Sequence, residues 1–185
     1  MKPIPWIELP LWWFAWFFSF VFRAPHFQKR ESITLTGPTL GGLFFQLGAI
    51  FLAAAHRLPA GSSPGTVRVA ASMIFGAAAA VLSWTSVTHL GKQFRLRAGL
   101  YVDHELVQTG PYAVVRHPLY ASFLAILLCT IALLTPWRWG VVSLAAFMVG
   151  TEIRVRTEDK LLESRFGEEF RAYRRKVRAY VPLIW

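Results

Sequence analysis

Cysteine is nearly absent. Cys129 is the only one in 185 residues, which excludes a disulfide scaffold. Charge is scarce too, at 16% of residues, where an average soluble domain carries about a quarter. Acids are scarcer than bases, ten against twenty, for a net charge of +10. No GxGxxG and no GxxxxGK motif occurs, so neither a Rossmann nucleotide site nor a P-loop is indicated. No His/Cys cluster has zinc spacing, and no metal is expected.

What is present is apolar. Hydrophobic residues make up 55% of the chain and mean hydropathy is +0.41, far too apolar for disorder. The reading is an all-α integral membrane protein. A spanning helix needs roughly 20 apolar residues, and the stretches between formal charges suggest five spans, about 5–22, 39–56, 67–89, 118–135 and 138–153. The last is short and spans only if its helix continues, or if the bilayer thins locally. The last two form a hairpin with Pro136 at the turn. The first run is Trp- and Phe-rich, is interrupted by Pro3, Pro5 and Pro10, and lacks a small-residue cleavage site before Arg23. It reads as a retained span, not a signal peptide. Residues 1–88 are expected to hold three spans, and 89–185 the catalytic region with its hairpin and helical tail.

Five spans place Lys2, Arg57, Arg68 and Arg138 on one side and the other sixteen of the twenty basic residues on the second. Cytoplasmic loops are enriched in Lys and Arg. The C-terminal helices are therefore expected in the cytoplasm and the N-terminus outside. Trp6, Trp137 and Trp139 fall at the outer interface, as an aromatic belt would. A pI of 10.5 often means nucleic-acid binding, but here the excess follows the topology, and no nucleic-acid partner is expected. The spans carry few polar residues: Gln46, Ser72, Ser83, Thr85, Ser122 and Thr130. No acid lies mid-span, which argues against an ion pathway. Gly76 and Ala80 have the small-xxx-small spacing of close helix packing.

The 90–117 loop is long, and long loops are often functional. Gly110 and Pro111 predict a turn, and Pro118 suits a first helical position. Arg116, His117 and Tyr120 gather at that helix start, where free N–H groups attract anions; interfacial anchoring would also explain Arg116 and His117. In the tail, Leu162, Phe166, Phe170, Tyr173 and Val177 recur at helical spacing, and Gly167 divides two helices. Arg154 and Glu158, four apart, share a face at the membrane boundary. The alternative is a solvated pair on a basic amphipathic helix lying on anionic lipid. That alternative suits Arg171, Arg174, Arg175, Lys176 and Arg178.

The order of these residues is Gly110-Pro-Tyr-x3-Arg116-His-Pro-x-Tyr120, a helical hairpin, Arg154-x-Arg-Thr-Glu158-Asp, then Leu162-x3-Phe166-Gly167-x2-Phe170-x2-Tyr173-x3-Val177 and Pro182. It resembles the isoprenylcysteine carboxyl methyltransferase and phospholipid methyltransferase superfamily over about residues 89–183. The resemblance implies an S-adenosylmethionine site without a Rossmann fold, with S-adenosylhomocysteine as product. It assigns cofactor contacts to His104, Glu105, Leu106, Val107, Tyr112, His117, Pro118, Leu119, Tyr120 and Glu158. Arg154 would lie at the methyl acceptor, so Arg154 and Glu158 are the implied catalytic pair. Asp159 stands where relatives often carry a second Glu. The 92–102 loop does not align.

The chemistry is consistent. Glu158, Tyr112 and Tyr120 suit a cationic sulfonium. A carboxylate acceptor is ionised at neutral pH and needs no base; Arg154 would orient it. An amine or thiol acceptor would need deprotonation, with Glu158 as base. The expected partners are membrane lipids and a lipophilic acceptor, with no obligate protein partner. An inner-membrane, prokaryotic setting is expected from the short chain. Competing readings are methylation of a lipid amine or small thiol, an NADPH-dependent membrane reductase (sterol reductases look similar in this region), and a non-enzymatic basic adaptor.

Overall fold

The computed structural model describes residues 4–22, 32–34, 37–59, 62–94, 99–101 and 104–181. The expectations for Lys2, Arg23, Lys29, Arg30, Arg95, Arg97, Val102 and Pro182, and for the side chain of Trp6, lie outside what is described.

Long helices form where the charge-free stretches predict them: α1 (Ile4–Phe22), α2 (Gly37–Ala55), α3 (Thr66–Leu90), α4 (Pro118–Leu134) and α5 (Trp137–Phe166). A short α6 (Glu168–Lys176) follows. Two of these, α2 and α3, are long and apolar enough to cross a membrane, whereas Ile7–Phe22 and Pro118–Leu134 are shorter apolar helices. The all-helical class has one local exception, a two-stranded antiparallel ladder of β1 (Ser32–Thr34) and β2 (Gly99–Tyr101), with Ile33 opposite Leu100. Nothing in the sequence pattern marked it.

Punctuation explains the boundaries. Gly91 ends α3 at φ 47° and Gly167 ends α5 at φ 52°, a left-handed conformation that glycine adopts without Cβ strain. Pro136 separates α4 from α5. The short fifth apolar stretch is the first half of a 30-residue helix, so α5 carries Arg154 and Glu158 onward from its apolar segment without a break.

Packing is organised around α4. Trp16 of α1 and Ala79 of α3 bury against Ala125, Ile126 and Cys129. On the other flank, Ala49 and Ala53 of α2 and Phe147 of α5 enclose Leu127. Two indoles of α1 bond across the bundle: Trp13 Nε1 donates to Thr130 Oγ1 (3.1 Å) and Trp16 Nε1 to Ser122 Oγ (3.2 Å). An apolar setting gives such groups no other outlet. Gly76 lets the Trp12 ring lie directly on α3. Large apolar side chains also face outward, Phe44 at 75% and Phe51 at 74% exposure among them. Outward apolar faces of this kind suit lipid more than water.

Candidate active site

The start of α4 is fixed by the chain that follows α6. Arg116 N–H donates to the Arg178 carbonyl and His117 N–H to the Ala179 carbonyl, both at 2.7 Å. Val115 and Arg178 form a parallel bridge. The Tyr173 hydroxyl donates to the Tyr112 carbonyl at 2.5 Å, and Phe170 and Tyr173 are buried beneath it. Along the apolar face expected of the tail, Tyr173 bonds the 110–117 segment and Phe166 lies beside the His104 ring.

Six ionisable groups converge here. Arg116 Nη2 lies 2.9 Å from Asp159 Oδ2 and its Nη1 donates to the Val177 carbonyl. His117 faces a carboxylate through each ring nitrogen, Nε2 to Asp159 Oδ1 at 2.9 Å and Nδ1 to Glu158 Oε2 at 3.4 Å. Tyr120 donates its hydroxyl to Glu158 Oε1. Arg154, 6% exposed, lies over the Tyr120 ring at 4.9 Å, and its Nη1 donates to Gln46 Oε1 at 2.9 Å. Arg116 and His117 are thus buried and bonded rather than interfacial anchors. Arg154 is buried as well, unlike one half of a solvated surface pair.

Burial by itself would depress the His117 pKa. The hydrogen bonds to Asp159 and Glu158, and their charges, outweigh it and raise the value to about 9. Two carboxylates facing one imidazole hold it protonated. Burial would raise the pKa values of both carboxyls, but their bonds to His117 lower them below the usual carboxylate range, helped by Arg154 and Tyr120 at Glu158 and by Arg116 at Asp159. Tyr112 is pushed well above its ordinary value by burial and by the Glu158 charge, so it stays a neutral hydroxyl.

A cavity of about 320 Å³ opens over this network. His104, Glu105, Leu106, Val107, Tyr112, His117, Leu119, Tyr120, Arg154 and Glu158 all line it. Pro118 is buried as the first residue of α4 and is absent from that wall. The Glu105 carboxylate is exposed and bonded to Lys92 Nζ at 3.2 Å. The wall also takes in Phe20 of α1, Leu43 of α2, Phe123 of α4, and Gln93 and Phe94 just after α3. Sequence reasoning missed Gln93, which lies in the loop that did not align. It also left the role of Asp159 open. Two lining residues, Gln93 and Tyr112, are buried with amide or hydroxyl atoms that have no hydrogen-bond partner among the described residues. Buried polar groups are normally satisfied, so these atoms fit a ligand able to give and take hydrogen bonds.

The family model for the isoprenylcysteine carboxyl methyltransferase (ICMT) family matches residues 70–164, from within α3 to near the end of α5. A curated relative in Schizosaccharomyces pombe, protein-S-isoprenylcysteine O-methyltransferase, is 38% identical over 93 residues, covering 44% of this chain and 35% of that protein. The cobalt-zinc-cadmium resistance protein CzcN of Cupriavidus metallidurans is 35% identical over 94 residues, covering 49% of this chain and 43% of its own length. The chain thus spans less than half the length of either relative. The family match includes Tyr112, the Arg116–Tyr120 cluster, Arg154 and Glu158, the residues that converge on the cavity, and on that match the chain belongs to the isoprenylcysteine carboxyl methyltransferase family.

Proposed function

We propose that the protein is an S-adenosylmethionine-dependent methyltransferase that esterifies the carboxylate of a lipophilic acceptor, as in methylation of a C-terminal S-isoprenylcysteine. One observation carries the reading: Glu158 and Arg154 lie on the wall of the same cavity, with Tyr120 in contact with both. One offers negative charge and the other positive, so the cavity suits a cation and an anion together.

S-adenosylmethionine supplies an electrophilic methyl group on a cationic sulfur. Glu158 and the faces of Tyr112 and Tyr120 suit that cation. The unpaired Tyr112 hydroxyl and Gln93 amide fit its polar groups. Arg154 holds an acceptor carboxylate and orients it. The apolar flank of Phe20, Leu43 and Phe123 suits the lipophilic part of the acceptor. Neutralisation of charge during ester formation favours a dry setting.

The state of Glu158 favours a carboxylate over an amine or thiol acceptor. Its pKa is lowered, not raised, and a base for an amine or thiol works best with a pKa near the ambient pH. A carboxylate needs no base.

The same reading includes a five-span topology with the N-terminus outside and the site at the cytoplasmic face. Membrane lipids and the acceptor are its partners, with no nucleic acid and no obligate protein. The basic 154–178 tail, cytoplasmic in this reading, supports the orientation.

Detergent-solubilised protein is expected to bind S-adenosylhomocysteine by isothermal titration, and a folded sample with no binding heat overturns the reading. Methyl-labelled cofactor incubated with native membranes should yield a lipid-soluble product that releases labelled methanol in alkali, as an ester does. An alkali-stable product would point to an amine or thiol acceptor. Arg154→Ala should abolish transfer while leaving S-adenosylhomocysteine binding intact.

A further inference from the structure

Arg154 does not hold its position alone. Its Nη1 donates to Gln46 Oε1 at 2.9 Å, and Gln46 Nε2 donates to Thr151 Oγ1 at 2.8 Å. Gln46 is 1% exposed and belongs to α2. It lies outside residues 70–164, which match the family. The relay thus starts from the apolar N-terminal helices and ends on the guanidinium at the cavity wall.

The backbone brings the two helices close enough for this. Gly42 lies one turn before Gln46, and Gly150 one turn before Arg154. A Cβ on Gly42 would stand 2.5 Å from Arg154 Cγ and 2.7 Å from the Gly150 carbonyl. A Cβ on Gly150 would stand 2.5 Å from the Gly42 carbonyl. Two facing glycines let α2 and α5 touch backbone to backbone, as small residues do between apolar helices. One turn on from the crossing, Gln46 meets Arg154.

The amide has one useful orientation. Turned over, it would present an N–H to the guanidinium and an oxygen to Thr151. Arginine has only donors, so Arg154 selects the orientation, and the Thr151 hydroxyl accepts the amide N–H on the far side. The Tyr120 ring under the guanidinium leaves little freedom to tilt. A long side chain with four rotatable bonds is thereby held in one geometry before any acceptor arrives.

We infer that Gln46 is the positioning residue for Arg154, so that α2, and not only the C-terminal half, sets where the acceptor's carboxylate is held. This rests on the proposed function for what Arg154 does, but not for the pairing itself.

The test uses the full chain in detergent, S-adenosylhomocysteine, and an N-acetylated S-farnesylcysteine as the carboxylate probe. Gln46→Leu should lower kcat/KM for the acceptor roughly 10- to 100-fold, the value of a hydrogen bond to a charged group, mainly through KM. Its affinity for S-adenosylhomocysteine should match wild type. Gln46→Glu keeps an acceptor facing Arg154 and should recover most of the loss, and Thr151→Val should give a smaller loss of the same kind. Unchanged acceptor kinetics in a folded Gln46→Leu protein overturn the inference. So does a parallel loss of cofactor affinity, which marks a general packing defect. A second readout needs no activity: in a thermal-unfolding cycle of Gln46→Leu and Arg154→Met, the two effects should be non-additive. Additive effects overturn the pairing. Should wild type transfer no methyl to any acceptor, the proposed function falls while this cycle still decides whether Gln46 holds Arg154.

Discussion

Arg68 and Arg154 are both arginines of the apolar bundle, and they are used in opposite ways. Arg68 reaches the C-terminal end of α4. Its Nε donates to the Ala132 carbonyl at 2.6 Å, and its Nη2 to those of Ile131 and Thr135 at 3.0 and 2.6 Å. Ile131 already accepts the Thr135 N–H, but the Ala132 and Thr135 carbonyls are of the kind a helix end leaves unpaired, and a cation there also meets the negative end of the dipole. At the opposite end of α4, Arg154 meets an amide and an aromatic face beside a cavity, among Glu158, His117, Asp159 and Arg116. The first end is closed, with its donors spent on its own backbone. The second holds charge in reserve around an opening. Charge count alone cannot separate the two uses, but the identity of the acceptors can.

The largest effect expected is at Asp159, which holds the open end together. Asp159→Ala leaves Arg116 and His117 facing each other without their shared carboxylate. Removing one partner from a buried ionic cluster costs roughly 3–5 kcal/mol. Denaturant unfolding in detergent should show it, and Arg116→Met in the same background should return part of it. A silent Asp159→Ala would mean that the two ends are alike and the cluster is ornamental.

The next effect is a pH dependence confined to the open end. The His117 pKa is raised from 6.5 to about 9, so its stabilising contribution is full below its ordinary pKa and is lost as pH rises through about 9. Glu158 and Asp159 have lowered values, so their contribution is present above the ordinary carboxylate range and lost on acidification. Melting temperature should be flat from roughly pH 5 to 6.5, fall as the pH rises from there to about 9, and level off above that. His117→Gln should flatten the alkaline fall. An unchanged alkaline limb in that variant would place the titrating group elsewhere.

Much of this was legible in the chain. Charge-free runs mark the apolar bodies of α1 to α3, although α1 runs back through Glu8 and α3 through Arg68. The Arg116–Tyr120 and Arg154–Glu158 motifs pointed to the cavity because each gathers its groups locally, one at the start of α4 and one within α5. Gln46 could not be found that way. It is a lone polar residue in an apolar run, and its partner is 108 positions away. Asp159 shows its charge in sequence, but not that Arg116 and His117 both reach it from another element. Glu105 lines the cavity as its motif suggested, but the sequence did not show that its exposed carboxylate pairs with Lys92.

Arg68→Met comes next in size, and it tests the closed end. The Ala132 and Thr135 carbonyls lose the guanidinium donor and Ile131 keeps only the Thr135 N–H, a cost of roughly 1–3 kcal/mol, and the melting temperature should drop accordingly. S-adenosylhomocysteine affinity should not change, because Arg68 sits at the far end of α4 from the cavity. A shift in affinity would mean that the ends communicate through α4.

The smallest effect on stability should come from Tyr112→Phe, and its sign should be reversed. The Tyr112 hydroxyl is buried at the cavity wall without a hydrogen-bond partner among the described residues. An unsatisfied buried polar group costs free energy, so replacing it with hydrogen of nearly the same shape should leave stability unchanged or raise it slightly. The ring, the carbonyl bond from Tyr173 and the packing remain. The loss should appear only when a ligand supplies the missing partner, as a weakening of S-adenosylhomocysteine binding by about tenfold, the size of one hydrogen bond. Thermal melts with and without S-adenosylhomocysteine check both halves together: wild type should gain more from the ligand than the variant does. Arg68→Met should show the opposite pattern, a lower melt and an undiminished gain. If both variants lose stability and neither loses affinity, Tyr112 is as closed as Arg68, and the distinction between the two ends of α4 falls.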